Sequence, residues 1–428
     1  MSGPTAPLLP RGSEEEIDRL FAPRFDPAER EALDSAARIL DDVRARGEAA
    51  LREHAERFGD LAPGEPLVVD RAGLESALAT LPAGERAVLE RMHVNVRAFA
   101  RRQRATLREF SAAVPGGDAG HEIAAVERAG CYAPGGRHPL PSSVLMTATV
   151  AREAGVATVW VASPRPARAT LAAAAIAGAD ALLAAGGAQA IAALAYGAGP
   201  VPKCDAVVGP GNRYVTAAKR LVAGTVLIDS LAGPSELVVL ADASVDPARI
   251  AADLVAQAEH DPDARVALVT CDASLANAVA AEAARQLDTL PTAAVARAAL
   301  EHGRAFVLSS LDAAIAACDR LAPEHLAVWL ADPDAAAPRL RHYGALFLGA
   351  ETSVAFGDYG AGPNHVLPTG GTARSSGGLS VLTFLRVRTW LRVHPSPVTA
   401  ALARDAALLA RLEGLEGHAR AAERRTGG

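Results

Sequence analysis

Residues 255–261, V-A-Q-A-E-H-D, place Gln257 and His260 three positions apart at the end of an apolar-periodic helix. At that spacing both side chains leave one helical face and can reach a single metal ion. A lone Q-x-x-H is ordinarily a helix surface, and glutamine is an uncommon ligand, so the metal reading depends on further donors. Asp358, in the glycine-flanked stretch F-G-D-Y-G-A-G-P-N-H (356–365), and His418, closing E-G-L-E-G-H (413–418), supply oxygen and nitrogen without any cysteine. Those are donor types that zinc accepts.

Two further motifs carry possible chemistry. In L-A-P-E-H-L (321–326), Pro323 fits the first turn of a helix, which sets Glu324 and His325 among unpaired N–H groups. Adjacent helical residues point about 100° apart, which suits separate acid and base roles better than a shared metal. The plain alternative is a capping glutamate beside a structural histidine. G-P-G-N (209–212) follows a predicted strand and opens a predicted helix, so its N–H groups and the helix dipole suit a phosphate. It reads equally as a turn, and the G-x-G-x-x-G fingerprint is absent.

These residues need a scaffold of several layers. The chain has 428 residues, half of them hydrophobic and only 4% aromatic, which predicts a multidomain α/β protein. Its 49 acidic and 43 basic residues leave a net charge of −6, with no basic block to track phosphates. That disfavours nucleic acid. Cys131, Cys204, Cys271 and Cys318 are far apart, so neither a thiolate zinc site nor a disulfide framework is expected. No signal peptide is visible, and Asp180, Gln189 and the Gly186–Gly187 pair break up the Ala-rich stretch 169–198. A cytoplasmic protein without a membrane span is the expectation.

Amphipathic helices are predicted over 26–58, interrupted near Gly47, and over 82–108, whose Arg97, Arg101, Arg102 and Arg104 read as a solvated face. From about residue 131, short β-branched runs alternate with Ala-rich helices, first through 158–229 and again through 236–348. That alternation predicts two similar Rossmann-like α/β units with parallel-rich sheets. A-R-S-S-G-G (373–378) reads as a hinge before a helical tail.

Taken together, Y-A-P-G-G-R with P-S-S-V-L-M, G-G-A-Q-A-I-A-A-L-A-Y-G, G-P-G-N-R-Y-V, A-G-P-S-E-L, D-L-V-A-Q-A-E-H-D, A-P-E-H-L, G-P-N-H-V-L-P-T and E-G-L-E-G-H closely resemble the histidinol dehydrogenase family, over residues 31–418. The resemblance implies NAD- and zinc-dependent oxidation of L-histidinol to L-histidine through a bound aldehyde. It implies one zinc per subunit, held by Gln257, His260, Asp358 and His418, with His418 donated across an intertwined homodimer. Ser235, Glu413 and His325 would join the four metal ligands at the substrate, and Tyr132, Gln189 and Asn212 would line the NAD site. His325 would remove the alcohol proton, and Glu324 would activate water for the aldehyde step.

The implied organisation is an N-terminal extension (1–27), a discontinuous first α/β domain (28–131 with 234–376), a second, NAD-binding α/β domain (132–233), and a C-terminal helical tail (377–428) reaching the partner's site. Ala133 and Arg213 stand where relatives often carry Val and Lys, and neither removes a functional residue. Other readings are a related zinc and NAD dehydrogenase acting on a different primary alcohol such as a diol sulfonate, a zinc hydrolase, and a non-catalytic nucleotide-binding module.

Overall fold

The computed structural model describes residues 7–21, 27–135 and 139–425. The start of the expected N-terminal extension (1–6), its end (22–26), and Gly136 and Arg137 of the Pro/Gly turn lie outside that set. Two parallel-rich sheets form the body, as the alternation predicts. The first holds six strands, in the spatial order Val68–Asp70, Ala181–Leu183, Thr158–Ala162, Arg128–Tyr132, Ala206–Val208 and Leu227–Ile228. All its pairings are parallel except that of the first strand at the edge. T-V-W-V-A and A-V-V are apolar without alternation because both faces of this sheet are covered.

The covering on one side is two helices deep. Gly187–Tyr196 is almost wholly buried, and Ala32, Ala36, Ile39 and Val43 of Pro27–Arg46 share its apolar cluster. Its alanines permit that close layering. On the other side lie Ala83–Ala105, Arg168–Ile176 and the helical stretch 141–154, which widens to a π-turn over Leu145–Thr149.

Segment 28–105 therefore packs on the six-stranded sheet, and Val68–Asp70 is hydrogen-bonded into it. That packing differs from the grouping of 28–131 with 234–376 read from the sequence. The edge strand pairs antiparallel with Ala181–Leu183, more than a hundred residues away, and no local pattern announces such a partner.

The second sheet holds five parallel strands in the order Arg304–Val307, Arg265–Thr270, Glu236–Ala241, His325–Trp329 and Ala345–Leu348. A third, antiparallel sheet has no counterpart in the sequence reading. It joins Phe110–Val114, Gly117–Ala125 and Leu385–Val393, the last two in register from Gly117↔Val393 to Ala125↔Leu385. The tail after the 373–378 stretch thus passes through a single 3-10 turn, Val381–Phe384, into a strand, and only then come the α-helices Pro397–Leu412 and Glu416–Glu423. L-R-V-R-T-W-L-R-V alternates with a period of two, which is the pattern of a strand with one apolar face. Among the described residues no helix is long and apolar enough to cross a membrane.

Candidate functional site

In the five-stranded sheet the chain runs outward one way through Glu236–Ala241, Arg265–Thr270 and Arg304–Val307, then returns to the other side of Glu236–Ala241 with His325–Trp329. The adjoining strands at this reversal start with Glu236 and His325, and His325 is registered against Leu237. A-P-E-H is therefore not a helix start. Helix Leu311–Leu321 ends at Ala322, which adopts a left-handed φ of 46°, and Pro323 then blocks its continuation. Glu324 is the last residue before the strand and His325 the first within it.

Both side chains are buried. His325 Nδ1 lies 2.9 Å from the Glu236 carbonyl oxygen and 3.4 Å from Glu324 Oε2. A carbonyl only accepts, so Nδ1 keeps its proton and Nε2 is the nitrogen that gains and loses the second one. Nε2 faces Asp358 Oδ1 at 3.9 Å. Burial by itself would pull the imidazole down, but the Glu324 carboxylate, then Asp358 and the Glu236 carbonyl, outweigh it and hold the ring up at about 9. Ser235 sits one residue before Glu236 on the same edge, where its carbonyl accepts the Arg265 N–H at 2.9 Å.

Asp358 ends the short helix Val354–Asp358, which is fastened to helix Pro247–Ala258 by Asp253. Asp253 accepts from Ser353 Oγ (3.0 Å) and from the Val354 N–H (2.9 Å). Helix Pro247–Ala258 also bears Gln257, which is buried. It stops at Ala258, so His260 lies in the exposed turn beyond it rather than on a continuing helical face. His418 and Glu413 are exposed on the C-terminal hairpin. Among the described residues of one chain, no three His, Cys, Asp or Glu side chains come together as a metal set. The structure brings Glu324, His325 and Asp358 together and leaves His418 and Glu413 apart from them.

The residues expected at the nucleotide gather on the other sheet. Tyr132 ends the strand Arg128–Tyr132, and the G-P-G-N loop follows the adjacent strand Ala206–Val208. The chain order reverses between these two strands, so the loop and Tyr132 flank the carboxyl-end crevice where α/β sheets bind ligands. Gly209 has a φ of 120°, and a Cβ there would run into the Tyr132 carbonyl, so only glycine fits. Its N–H donates to Asp229 Oδ2 (2.8 Å) and its carbonyl accepts from Lys219 Nζ (2.9 Å), while Lys219 and Asp229 form a buried ion pair.

Asn212 caps helix Arg213–Val222, accepting from the Tyr214 and Val215 N–H groups at 3.0 and 3.2 Å. Gln189 donates to Asp60 Oδ2 (2.8 Å), which also accepts the Gly186 N–H (2.8 Å). The Gly187 N–H donates to the Tyr132 hydroxyl (3.4 Å), whose acidity burial suppresses, up to about 12. Tyr132 and Gln189 are thus buried against one turn, and Asn212 is exposed beside it.

Short bridges connect the two regions. Thr216 Oγ1 donates to the Ala232 carbonyl (2.8 Å) and the Gly233 N–H to Thr369 Oγ1 (2.6 Å), so A-G-P-S joins the Asn212 helix to the Glu236 edge. Asn364 Nδ2 donates to the Met146 carbonyl (2.7 Å) inside the π-turn, and His365 Nε2 lies 3.4 Å from Ser143 Oγ. His365 Nδ1 is 3.0 Å from the Asp358 carbonyl. Sequence reasoning passed over Glu236 and His365. Both stand inside segments singled out for other residues, A-G-P-S-E-L and G-P-N-H, and that proximity was the available signal.

The sequence model of the histidinol dehydrogenase family matches residues 23–426. The chain is 46% identical over 416 residues to the histidinol dehydrogenase of Thermus thermophilus, covering 96% of this chain and 98% of that one. It is 45% identical over 394 residues to that of Pseudomonas syringae pv. syringae, covering 90% and 88%. The crystal structure of histidinol dehydrogenase from Elizabethkingia anophelis superposes with a TM-score of 0.90 at 29% identity, covering 99% of each chain.

Proposed function

The chain belongs to the histidinol dehydrogenase family, oxidoreductases acting on CH–OH in histidine biosynthesis, and we propose that it performs the NAD-dependent, zinc-dependent four-electron oxidation of L-histidinol to L-histidine. The observation that supports this chemistry most strongly is the Glu324–His325 pair. The Glu236 carbonyl holds the proton on His325 Nδ1, so Nε2 is the nitrogen that, once deprotonated, would take the alcohol proton. Glu324 Oε2, 3.4 Å from the same ring, is placed to activate a water once the aldehyde has formed. Removing four electrons from a primary alcohol takes two hydride transfers in succession, each to a separate NAD. A site buried as this one is keeps the aldehyde from escaping between them.

Gln257, His260, Asp358 and His418 are nitrogen and oxygen donors of the kind zinc accepts, and the first three belong to elements around one wall. Bound there, zinc would fix the substrate's orientation. His418 and Glu413 would come from the partner subunit of an intertwined homodimer. The tail supports that assignment. Its helices close on each other through Ala407, Ala410 and Ala419, leaving Leu408, Leu409 and Leu412 open to solvent, Leu412 at 77%. The apolar face of strand Leu385–Val393 is likewise open, with Leu391 at 67%. Contiguous exposed leucines of this kind mark a protein interface. Tyr132, Gln189 and Asn212 would form the NAD site at the chain reversal of the six-stranded sheet.

Competition between alcohols tests the substrate assignment. Zinc-loaded protein is expected to oxidise L-histidinol far faster than a dihydroxypropane sulfonate, and the reverse preference would overturn it.

A further inference from the structure

The A-G-P-S-E-L segment contributes a second glutamate beside the acid/base pair. Glu236 is fully buried, and it touches that pair through its N–H, its carbonyl and one carboxyl oxygen. Its N–H donates to Glu324 Oε2 (2.8 Å), and its carbonyl takes the His325 Nδ1 proton (2.9 Å). Its side chain accepts the Glu324 N–H on Oε2 (3.4 Å) and the Gly370 N–H on Oε1 (2.8 Å), with Arg265 3.8 Å away. The two glutamates thus cap each other's peptides across adjacent strands, and Gly370 ties the loop that follows Asp358 to the same carboxyl.

A buried carboxyl beside another carboxylate is expensive unless it does something its surroundings need. From this geometry we infer that Glu236 is a positioning residue for the reaction, holding the Glu324 carboxylate and the His325 ring in register with each other and with the Gly370 turn. Burial first, and the neighbouring Glu324 charge after it, push the Glu236 carboxyl up to about 8. The carboxyl of Glu236 is thus held towards its protonated form by its enclosure. Glu236 makes no contact with Gln257, His260 or Asp358 among the contacts above, so its influence runs through the acid/base pair.

The inference rests on the reading of Glu324 and His325 given under Proposed function. Its test compares the zinc-loaded full chain with Glu236→Met, which keeps the volume and removes both acceptors, and Glu236→Gln, which keeps one acceptor for the Gly370 N–H. The two half-reactions are measured separately, starting from L-histidinol and from L-histidinaldehyde, together with the melting temperature. Glu236→Met is expected to lower kcat about 10-fold or more in both halves, because sub-ångström misplacement of catalytic groups is costly, with both KM values held within about twofold. Glu236→Gln should recover part of that loss.

Should Glu236→Met fail to fold, Glu236→Asp carries the test, since it retains the carboxyl but draws the oxygens away from Gly370 and Glu324, and the same kcat loss is expected. Unchanged kcat in a folded variant, whatever its melting temperature, would overturn the inference, as would a raised KM at unchanged kcat. If the unsubstituted enzyme forms no NADH from L-histidinol, the acid/base reading itself falls and this inference with it.

Discussion

One carbonyl oxygen decides which nitrogen of His325 is protonated, and so which nitrogen can act as a base. Glu324 Oε2 lies 3.4 Å from the same Nδ1, and the task proposed for it is distinct from that of the ring, which makes the two separable by mutation. Glu324→Gln should slow aldehyde oxidation by about 10²-fold or more while slowing alcohol oxidation much less, and equal losses in the two halves would count against a water-activating role. Glu236 gives a pH signature. Because burial raises its carboxyl to about 8, the folded state keeps a proton that the unfolded chain has already released. Its effect on stability is therefore nil below the ordinary carboxylate range and grows more unfavourable as pH rises towards 8. Thermal melts of Glu236→Gln should show a flatter decline across that window than the parent.

At the scale of elements, the two sheets use opposite ends. The nucleotide candidates lie at the carboxyl ends of their strands, where α/β folds ordinarily bind ligands, whereas Glu324 and His325 enter at the amino end of theirs. Linkers compensate, with A-G-P-S and G-P-N-H carrying hydrogen bonds from one region to the other. The clamp under Gly209 is the most exacting element-level feature. Gly209→Ala should cost about 1–3 kcal/mol in strain and raise the KM for NAD, checked by melting and by NAD titration. Lys219→Met, which strands a buried Asp229, should cost about 3–5 kcal/mol in a denaturant melt.

Much of this scale was legible beforehand. T-V-W-V-A and A-V-V declare buried parallel strands, and the G-P-G-N loop with its Asn212 cap marks a helix start. What escaped was non-local. The antiparallel sheet of 110–125 with 385–393 and the edge strand Val68–Asp70 form pairs that no window of neighbouring residues can foresee. A-P-E-H misled for the opposite reason, since proline after a helix end and proline at a helix start look alike locally. At the site, residue types located Glu324, His325 and Asp358, but only folding brings Glu236 between the first two.

For the whole molecule, the proposed second copy of the chain would cover the exposed leucines of the C-terminal hairpin and bring a His418 to Asp358. Two inactive variants then complement each other. His418→Asn mixed with His325→Asn after unfolding and refolding together should regain about a quarter of parental activity, because half of randomly formed dimers carry one intact site. No recovery would confine each site to a single chain. His418→Asn alone should also bind less zinc by elemental analysis, and full occupancy would remove it from the ligand set. The central claim, a four-electron oxidation dependent on metal, is tested most directly by counting NADH formed per L-histidinol consumed by the zinc-loaded protein, with and without a chelator. Two NADH per substrate, lost on chelation, is the predicted result; one NADH, or two that survive removal of the metal, would contradict it.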